Sequence, residues 1–193
     1  MTAASTPKGE RRRQALVEAA AELLVEGGFE AVRHRAVAER AGLPLASTTY
    51  YFSSLDELVE AAMELHSRTE LAQGRARLAA AGEDLATAEF LLDMLLGSST
   101  ECDFDAVLLR YERLVATGRR AYLRPLMRTT SAELRQLLKD VLAAGGVHAD
   151  DERVDLVVAV VDGAVVNALI EVHPDPREAA RRMLLSVLPE LAK

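Results

Sequence analysis

The chain has 193 residues, of which 50% are hydrophobic and 27% are charged, a composition that excludes wholesale disorder. Aromatic residues are scarce and tryptophan is absent, which favours aliphatic helices over a β-sandwich. The single cysteine, Cys102, excludes an internal disulfide framework and a multi-cysteine metal site. No apolar run typical of a signal peptide follows the first charges and none in the chain is long enough for a bilayer, so we expect a soluble cytoplasmic protein.

The formal net charge of −7 conceals an uneven distribution along the chain. Residues 1–53 carry seven Lys or Arg against six Glu, whereas residues 54–193 carry sixteen against twenty-four acidic residues. The N-terminal cations are bunched at 8–13 and at 33–40. The acidic net charge of the chain therefore does not exclude a small cationic face near the N-terminus. Charge alone leaves open whether these cations bind nucleic acid or are ordinary solvated residues at the start of a helix.

Helix start and stop signals divide the whole chain, and no strand alternation is found. Thr6 and Pro7 are typical of an N-cap and a first helical position, and Ser54 with Glu57 predicts a capping box for the fourth helix. Glycines and prolines mark most of the ends. The predicted helices are 8–27, 34–41, 45–52, about 55 into the 70s, 84–97, 103–120, 121–144, 151–171 and 175–190.

The second and third of these helices form a helix-turn-helix pattern. Ala38 is small enough for a close crossing, Gly42 tolerates a left-handed turn, and Leu43 supplies an apolar plug. A third helix of two turns fits the DNA major groove. Spacing alone does not separate this pattern from other helical hairpins. The side chains predicted to face solvent, and so to reach phosphates or base edges, are Leu45, Ala46, Ser47, Thr49 and Tyr50.

Residues 11–62 resemble the DNA-binding domain of TetR-family transcriptional regulators. The matching marks are the Ala-Ala pair and Gly-Phe of helix one, Val-Ala-Glu-Arg-Ala-Gly through helix two, and Tyr-Tyr-Phe-Ser-Ser before helix four. The resemblance implies a dimer that binds a roughly palindromic operator, usually as a repressor, and a small-molecule effector in the C-terminal part. The predicted fold is all-α, with a three-helix DNA-binding domain over 1–53 and a helical bundle for ligand binding and dimerisation over 54–193.

The resemblance also places Tyr51 against a DNA phosphate and Tyr50 nearer the bases. Many members of the family have Lys where Leu55 stands and a polar or basic residue where Leu45 stands, so other groups must supply these contacts here. We expect these contacts to come from the basic N-terminus, from Arg33 just before helix two and from Arg35 within it. The predicted DNA-binding residues are Arg33, His34, Arg35, Leu45, Ala46, Ser47, Thr49, Tyr50 and Tyr51.

The segments 84–97 and 103–127 carry most of the larger, softer side chains outside the N-terminal part. Such side chains suit an adaptable apolar pocket, although each of them could equally fill the core. Because the resemblance implies an effector pocket, we expect a largely apolar ligand that is neutral or cationic in these acidic surroundings. The expected pocket residues are Phe90, Met94, Tyr111, Glu112, Tyr122 and Met127.

The last two helices, within about 151–190, carry a broad apolar face that one small domain is not expected to bury. We therefore predict a two-fold homodimer with a four-helix interface. Asp162 and Asn167 interrupt the apolar run and need polar partners, either in an effector cavity or across the subunit interface. The face is predicted to contain Val154, Val157, Val158, Val161, Val165, Ala168, Leu169, Ala179, Met183, Leu184, Val187 and Leu188.

Two other classes of protein compete with a ligand-responsive DNA-binding regulator: a small all-α enzyme, and a helical dimer that binds a ligand or protein without DNA. The sequence offers no nucleophile–base pair, phosphate loop or persuasive carboxylate pair for an enzyme. The four histidines are scattered, and the acidic neighbours of Cys102 disfavour a reactive thiolate. We therefore expect no catalytic site, metal or cofactor.

Overall fold

The computed structural model describes residues 6–81, 86–97 and 103–191. Regular structure in these ranges is entirely helical, and no helix there is long and apolar enough to cross a membrane. The all-α prediction is confirmed, while Cys102 and the start of the predicted 84–97 segment lie outside the described residues. The helices are α1 (Pro7–Ala31), α2 (His34–Arg40), α3 (Ala46–Tyr51), α4 (Leu55–Ala80), α5 (Thr87–Leu96), α6 (Phe104–Gly118), a 3-10 turn (Ala121–Leu123), α7 (Arg124–Ala144), α8 (Asp151–Ile170) and α9 (Pro176–Leu191).

The first helix begins as the sequence predicts but ends later. The Thr6 hydroxyl accepts a hydrogen bond from the Gly9 amide at 3.1 Å, which confirms Thr6 as the N-cap. At Gly27-Gly28 the backbone leaves helical geometry, with φ +65° at the second glycine, yet helical hydrogen bonding continues to Ala31. The glycine pair therefore bends the segment instead of ending it.

The described residues form two compact units. The head comprises the chain up to Thr69 together with Leu109–Arg128, and the C-terminal unit comprises Glu70–Leu108 together with the chain from Thr129 onward. The predicted boundary at residue 53 thus differs from the division in the structure. The first half of α4 and the 3-10 turn belong to the head because their apolar side chains, such as Leu58 and Leu123, are fully buried in its core.

The head core is aliphatic, apart from one aromatic ring. Apolar residues of α1 at helical spacing meet the valine of α2, the ring that follows α3, and the inner face of α4. Their burial fixes the helix-turn-helix segment on α1 and α4. The core consists of Leu16, Val17, Ala19, Ala20, Leu24, Val32, Val37, Phe52, Leu58, Val59, Ala62, Met63 and Leu123.

In the C-terminal unit, α8 packs against α9 and α5. This arrangement corrects the predicted dimer face, because five of its α8 residues are buried within a single chain. Consecutive helices joined by a short turn can pack their apolar faces on each other. The sequence pattern shows that a face is buried, but it does not show whether the same chain or a second subunit covers it. The five buried residues are Val154, Val157, Val161, Val165 and Ala168.

Buried charge fastens α9 to α5. Arg177 has a side chain that is 10% exposed, and its guanidinium donates to Asp93 Oδ1 at 2.6 Å, Glu89 Oε2 at 3.2 Å and the Gly97 carbonyl at 2.9 Å. Arg77 of α4 approaches the second oxygen of Asp93 at 2.6 Å. The network therefore ties three helices of this unit together, with Asp93 shared between two arginines.

Val172 shapes the turn between α8 and α9. Its amide bonds to the Leu169 carbonyl at 3.3 Å and the His173 amide bonds to the Ala168 carbonyl at 2.8 Å, the two hydrogen bonds of a Schellman motif. Val172 occupies the left-handed position of that motif with φ +54°. A β-branched residue is strained in this conformation, which glycine adopts without steric cost.

Candidate nucleic-acid interface

The turn between α2 and α3 follows the sequence prediction closely. Gly42 has φ +64°, its amide bonds to the Glu39 carbonyl at 3.2 Å, and the Leu43 amide bonds to the Ala38 carbonyl at 2.9 Å. These bonds form a Schellman motif with glycine at the left-handed position. Leu43 packs against the head core as the predicted plug. The turn therefore sets the angle at which α3 leaves α2.

Arg40 holds α2 against α1 through two carboxylates of α1. Its guanidinium contacts Glu22 at 3.0 Å and Glu26 at 2.7 Å. Hydrogen bonds to the two carboxylates raise the pKa of Arg40, and the bond from Arg40 lowers the pKa of Glu26. The signal in the sequence is the four-residue spacing of the glutamates, which places both on one face of α1.

The third helix, α3, presents an exposed outer face. Leu45 is 54% exposed and Tyr50 is 58% exposed, and Ala46 and Thr49 are also exposed. Ser47, which was predicted to face solvent with them, is half-buried. This face mixes a hydroxyl, a phenol and small apolar groups, which can meet phosphates, base edges and thymine methyls.

The inner face of α3 carries a residue that the sequence did not single out. Thr48 is fully buried, and its hydroxyl donates to the Leu45 carbonyl at 2.8 Å. Tyr51 is half-buried against the head core, and its ring meets that of Tyr50 edge-on with centroids 4.9 Å apart. The two tyrosines therefore differ in exposure, with Tyr50 outside and Tyr51 at the margin of the core.

The three predicted residues around the start of α2 have different surroundings. Arg33 is exposed and its Nε donates to the Glu30 carbonyl at 3.1 Å, and no carboxylate in the described part of the chain pairs with it. Arg35 has a side chain that is 84% exposed, but it pairs with Glu39 at 2.9 Å, and this bond raises the pKa of Arg35. His34 is half-buried with Nδ1 enclosed, and that atom has no hydrogen-bond partner within the described ranges.

The start of α4 is capped by its own side chains. The Ser54 hydroxyl accepts from the Glu57 amide at 3.1 Å, as the predicted capping box requires. Glu57 reaches back one residue further than predicted, since Oε2 accepts from both the amide and the hydroxyl of Ser53 at 2.7 Å. These bonds, led by the one from the hydroxyl, lower the pKa of Glu57, with a smaller contribution from Arg13.

Two of the predicted ligand-pocket residues lie on α5 in the C-terminal unit. Phe90 is buried, with the Arg77 guanidinium 4.8 Å from its ring centroid. Met94 is half-buried beside Gly74 of α4, where an added methyl group would overlap its sulfur. The absence of a side chain at Gly74 therefore creates the space that Met94 occupies.

The other four predicted pocket residues belong to the head. Tyr111 is buried and Glu112 is exposed. Tyr122 and Met127 pack against the core beneath the helix-turn-helix segment, and burial, followed by the charge of Asp56, raises the pKa of Tyr122. A single pocket lined by all six residues stays a prediction.

A groove of about 480 Å³ runs along the outer side of α8 and α9. Asn167 is exposed there, beside Gly163 and Met183. Asp162 is half-buried and, unlike Asn167, does not line the groove. The outer side of these two helices thus combines small residues with exposed apolar ones.

A helix-turn-helix with an exposed α3 face, in a chain whose described regular structure is helical throughout, is typical of a DNA-binding transcriptional regulator. Residues 16–62 match the family model described as bacterial regulatory proteins, tetR family. Residues 82–190 match the model described as tetracyclin repressor-like, C-terminal domain. The chain belongs to the TetR family. Its members are transcription factors and not enzymes, and they combine a DNA-binding domain with a ligand-binding one.

Individual relatives agree with this assignment. The multidrug binding protein EbrR, crystallised with imidazole, is 31% identical, with a TM-score of 0.63, over 97% of this chain and 93% of EbrR. A TetR-family member from Streptomyces coelicolor A3, SCO1917, is also 31% identical, with a TM-score of 0.56, over 91% of this chain and 97% of its own. The curated HTH-type transcriptional regulator PksA of Bacillus subtilis (strain 168) is 41% identical over 56 residues, 29% of this chain and 27% of PksA.

Proposed function

We propose that this protein is a ligand-responsive repressor that binds a roughly palindromic operator as a dimer and leaves it when a small-molecule effector binds. The exposed face of α3 carries the DNA part of the proposal. Leu45, Thr49 and Tyr50 project from a helix of two turns whose other side is fixed by Thr48 and the head core. A short, rigidly held helix with an exposed face is what major-groove insertion requires.

The outer side of α8 and α9 supports the dimer. Val166, Ile170 and Met183 are exposed apolar residues on this side, and Gly163 allows a close helix approach. We propose a two-fold contact through this side, in place of the buried valine face predicted from the sequence. The two heads of the dimer would then lie about 34–36 Å apart, one turn of DNA.

The effector is proposed to be an apolar, neutral or cationic molecule. The similar protein EbrR has been crystallised in complex with proflavin, malachite green and ethidium, which are aromatic cations. Residues 54–193 of this chain carry the acidic excess, which favours a cation. Phe90 and Met94 of the C-terminal unit remain proposed ligand contacts, and the predicted contact of Tyr111, in the head, is tested separately. Release from DNA requires that the effector favour the DNA-incompetent state, since equal affinity for both states shifts nothing.

Operator binding is tested with Tyr51→Phe and Tyr50→Phe variants on the DNA upstream of the protein's own gene. Loss of one hydrogen bond to a charged phosphate costs about 1.5–3 kcal/mol, so Tyr51→Phe should weaken binding at least tenfold at an unchanged melting temperature. Unchanged affinity in a folded Tyr51→Phe variant would remove Tyr51 from the interface. If the wild-type protein shows no salt-dependent DNA binding at all, the proposed function itself fails.

The effector pocket is tested without DNA, with malachite green as the probe. Met94→Leu and Tyr111→Phe retain most of the side-chain volume, so they should weaken dye binding while the melting temperature changes little. Leu185→Met, at an exposed residue of α9 that does not line the groove, serves as the control. Equal dye affinity in all four proteins would place the pocket elsewhere.

A further inference from the structure

The corner where α3 ends and α4 begins receives a charged side chain from α1. The Arg13 guanidinium carbon lies 4.8 Å from the ring centroid of Phe52, the residue that directly follows Tyr51. Phe52 is 2% exposed and belongs to the head core, so its ring is held in place. Arg13 itself is exposed. A core ring therefore fixes the position of a solvent-facing guanidinium at the C-terminal end of the recognition helix.

Several hydrogen-bond donors at this corner are already engaged within the protein. The amides of Ser53 and Glu57 and the Ser53 hydroxyl already bond within the cap of α4. Leu55, the first residue of α4, carries no charge, and the Glu57 carboxylate adds a negative one. A phosphate that approaches here finds these donors occupied, and a neighbouring arginine or lysine would add the charge that Leu55 does not supply.

Arg13 differs in its contacts from Arg35 and Arg40, two other arginines of the head. Arg35 is paired with Glu39, and Arg40 is paired with Glu22 and Glu26. Within the described ranges Arg13 contacts the Phe52 ring, and no carboxylate accepts a hydrogen bond from it, although its charge helps to lower the pKa of the nearby Glu57. The donor edge of its guanidinium is therefore available, whereas Arg35 and Arg40 would have to give up a carboxylate.

We propose that Arg13 binds a backbone phosphate of DNA beside the C-terminal end of α3, across the ring of Phe52. The proposal rests on the proposed placement of α3 on DNA and adds a contact made by α1. Arginine suits this position because its planar guanidinium packs on a ring while its N–H edge forms a bidentate pair with phosphate oxygens. The contact positions the head and carries no base specificity.

The test measures the salt dependence of binding to a short duplex of random sequence, because a phosphate contact acts on any sequence. Arg13→Met keeps an unbranched side chain over Phe52 but removes the charge, and Arg13→Lys keeps the charge. Arg68→Met, at an exposed arginine of α4 that is paired with Glu64, makes the same change in net charge as Arg13→Met. Melting temperatures establish that each variant is folded.

Arg13→Met should weaken binding about tenfold or more at low salt and reduce the slope of log K against log salt by about 0.9. Arg13→Lys should retain the wild-type slope, and Arg68→Met should match the wild-type protein. A wild-type slope in folded Arg13→Met, a slope in Arg13→Lys as flat as that in Arg13→Met, or a loss confined to one DNA sequence would each overturn the phosphate assignment. Failure of the wild-type protein to bind DNA would contradict the proposed function instead.

Discussion

The head and the C-terminal unit share two structural features: an arginine that bonds two carboxylates of another helix, and a turn residue with a left-handed backbone. In the head, Arg40 bonds two carboxylates of α1, and its side chain is 35% exposed. In the C-terminal unit, Arg177 bonds two carboxylates of α5, and its side chain is largely buried. Gly42 occupies the left-handed turn position in the head, and Val172 occupies it in the C-terminal unit. Burial, and not the number of bonds, should therefore decide how much each arginine contributes.

The arginine in the C-terminal unit gives the largest expected effect. Arg177→Met should lower the free energy of unfolding by about 3 kcal/mol, measured by urea denaturation, because it breaks a buried charge pair. We expect the lower end of the usual range because Arg77 still faces Asp93 and Arg181 still contacts Glu89 at 2.6 Å. Arg181→Met, at a half-exposed position, is the control and should cost clearly less. Equal losses in the two variants would contradict the role assigned to burial.

The two turns predict effects of opposite sign. Gly42→Ala should destabilise the protein by about 1–2 kcal/mol, since nothing crowds the new methyl group and the cost lies in the left-handed backbone alone. Val172→Gly should stabilise it by about 0.5–1 kcal/mol, because relief of strain outweighs the added chain entropy. The check is a pair of melting curves. A stabilising Gly42→Ala, or a destabilising Val172→Gly, would show that side-chain contacts govern these turns.

These turns also show how far the sequence determined the fold. Gly42 lies between two short predicted helices, and its tolerance of a left-handed backbone predicted the turn and hence the recognition helix. The left-handed backbone of Val172 was not predictable in this way. The neighbouring prolines indicate a turn, but a β-branched residue is not expected at a left-handed position.

Long-range partners were less predictable than local structure. The valine periodicity of α8 correctly indicated a buried face, but periodicity does not say whether the cover comes from the same chain. The spacing of Glu22 and Glu26 marked one face of α1 without naming Arg40 as their partner. The contact of Arg13 with Phe52 joins residues far apart in the sequence, and no local pattern encodes it.

The head arginine should have a smaller effect than its buried counterpart. Arg40→Met retains the aliphatic part of the side chain and removes bonds to carboxylates that are more than half exposed. Water and salt already screen these charges, so we expect a modest fall in melting temperature that shrinks further in high salt. A loss as large as that of Arg177→Met, or one that salt leaves unchanged, would break the comparison between exposed and buried pairs.

The cap of α4 should give the smallest effect, and it is separable by pH. Glu57 has a pKa below its ordinary value of 4.5, chiefly because it accepts hydrogen bonds from Ser53. A carboxylate with a lowered pKa stabilises the folded state above its unfolded pKa, and this contribution is lost as the pH falls through the folded pKa. Glu57→Gln retains an acceptor without the charge. It should therefore cost less than about 1 kcal/mol near pH 7, and the difference from the wild-type protein should vanish in acid, below the pKa of the folded state. Urea denaturation at a series of pH values measures this difference. A gap that persists unchanged at the acid end would mean that the shape of the Glu57 side chain, and not its charge, stabilises the start of α4.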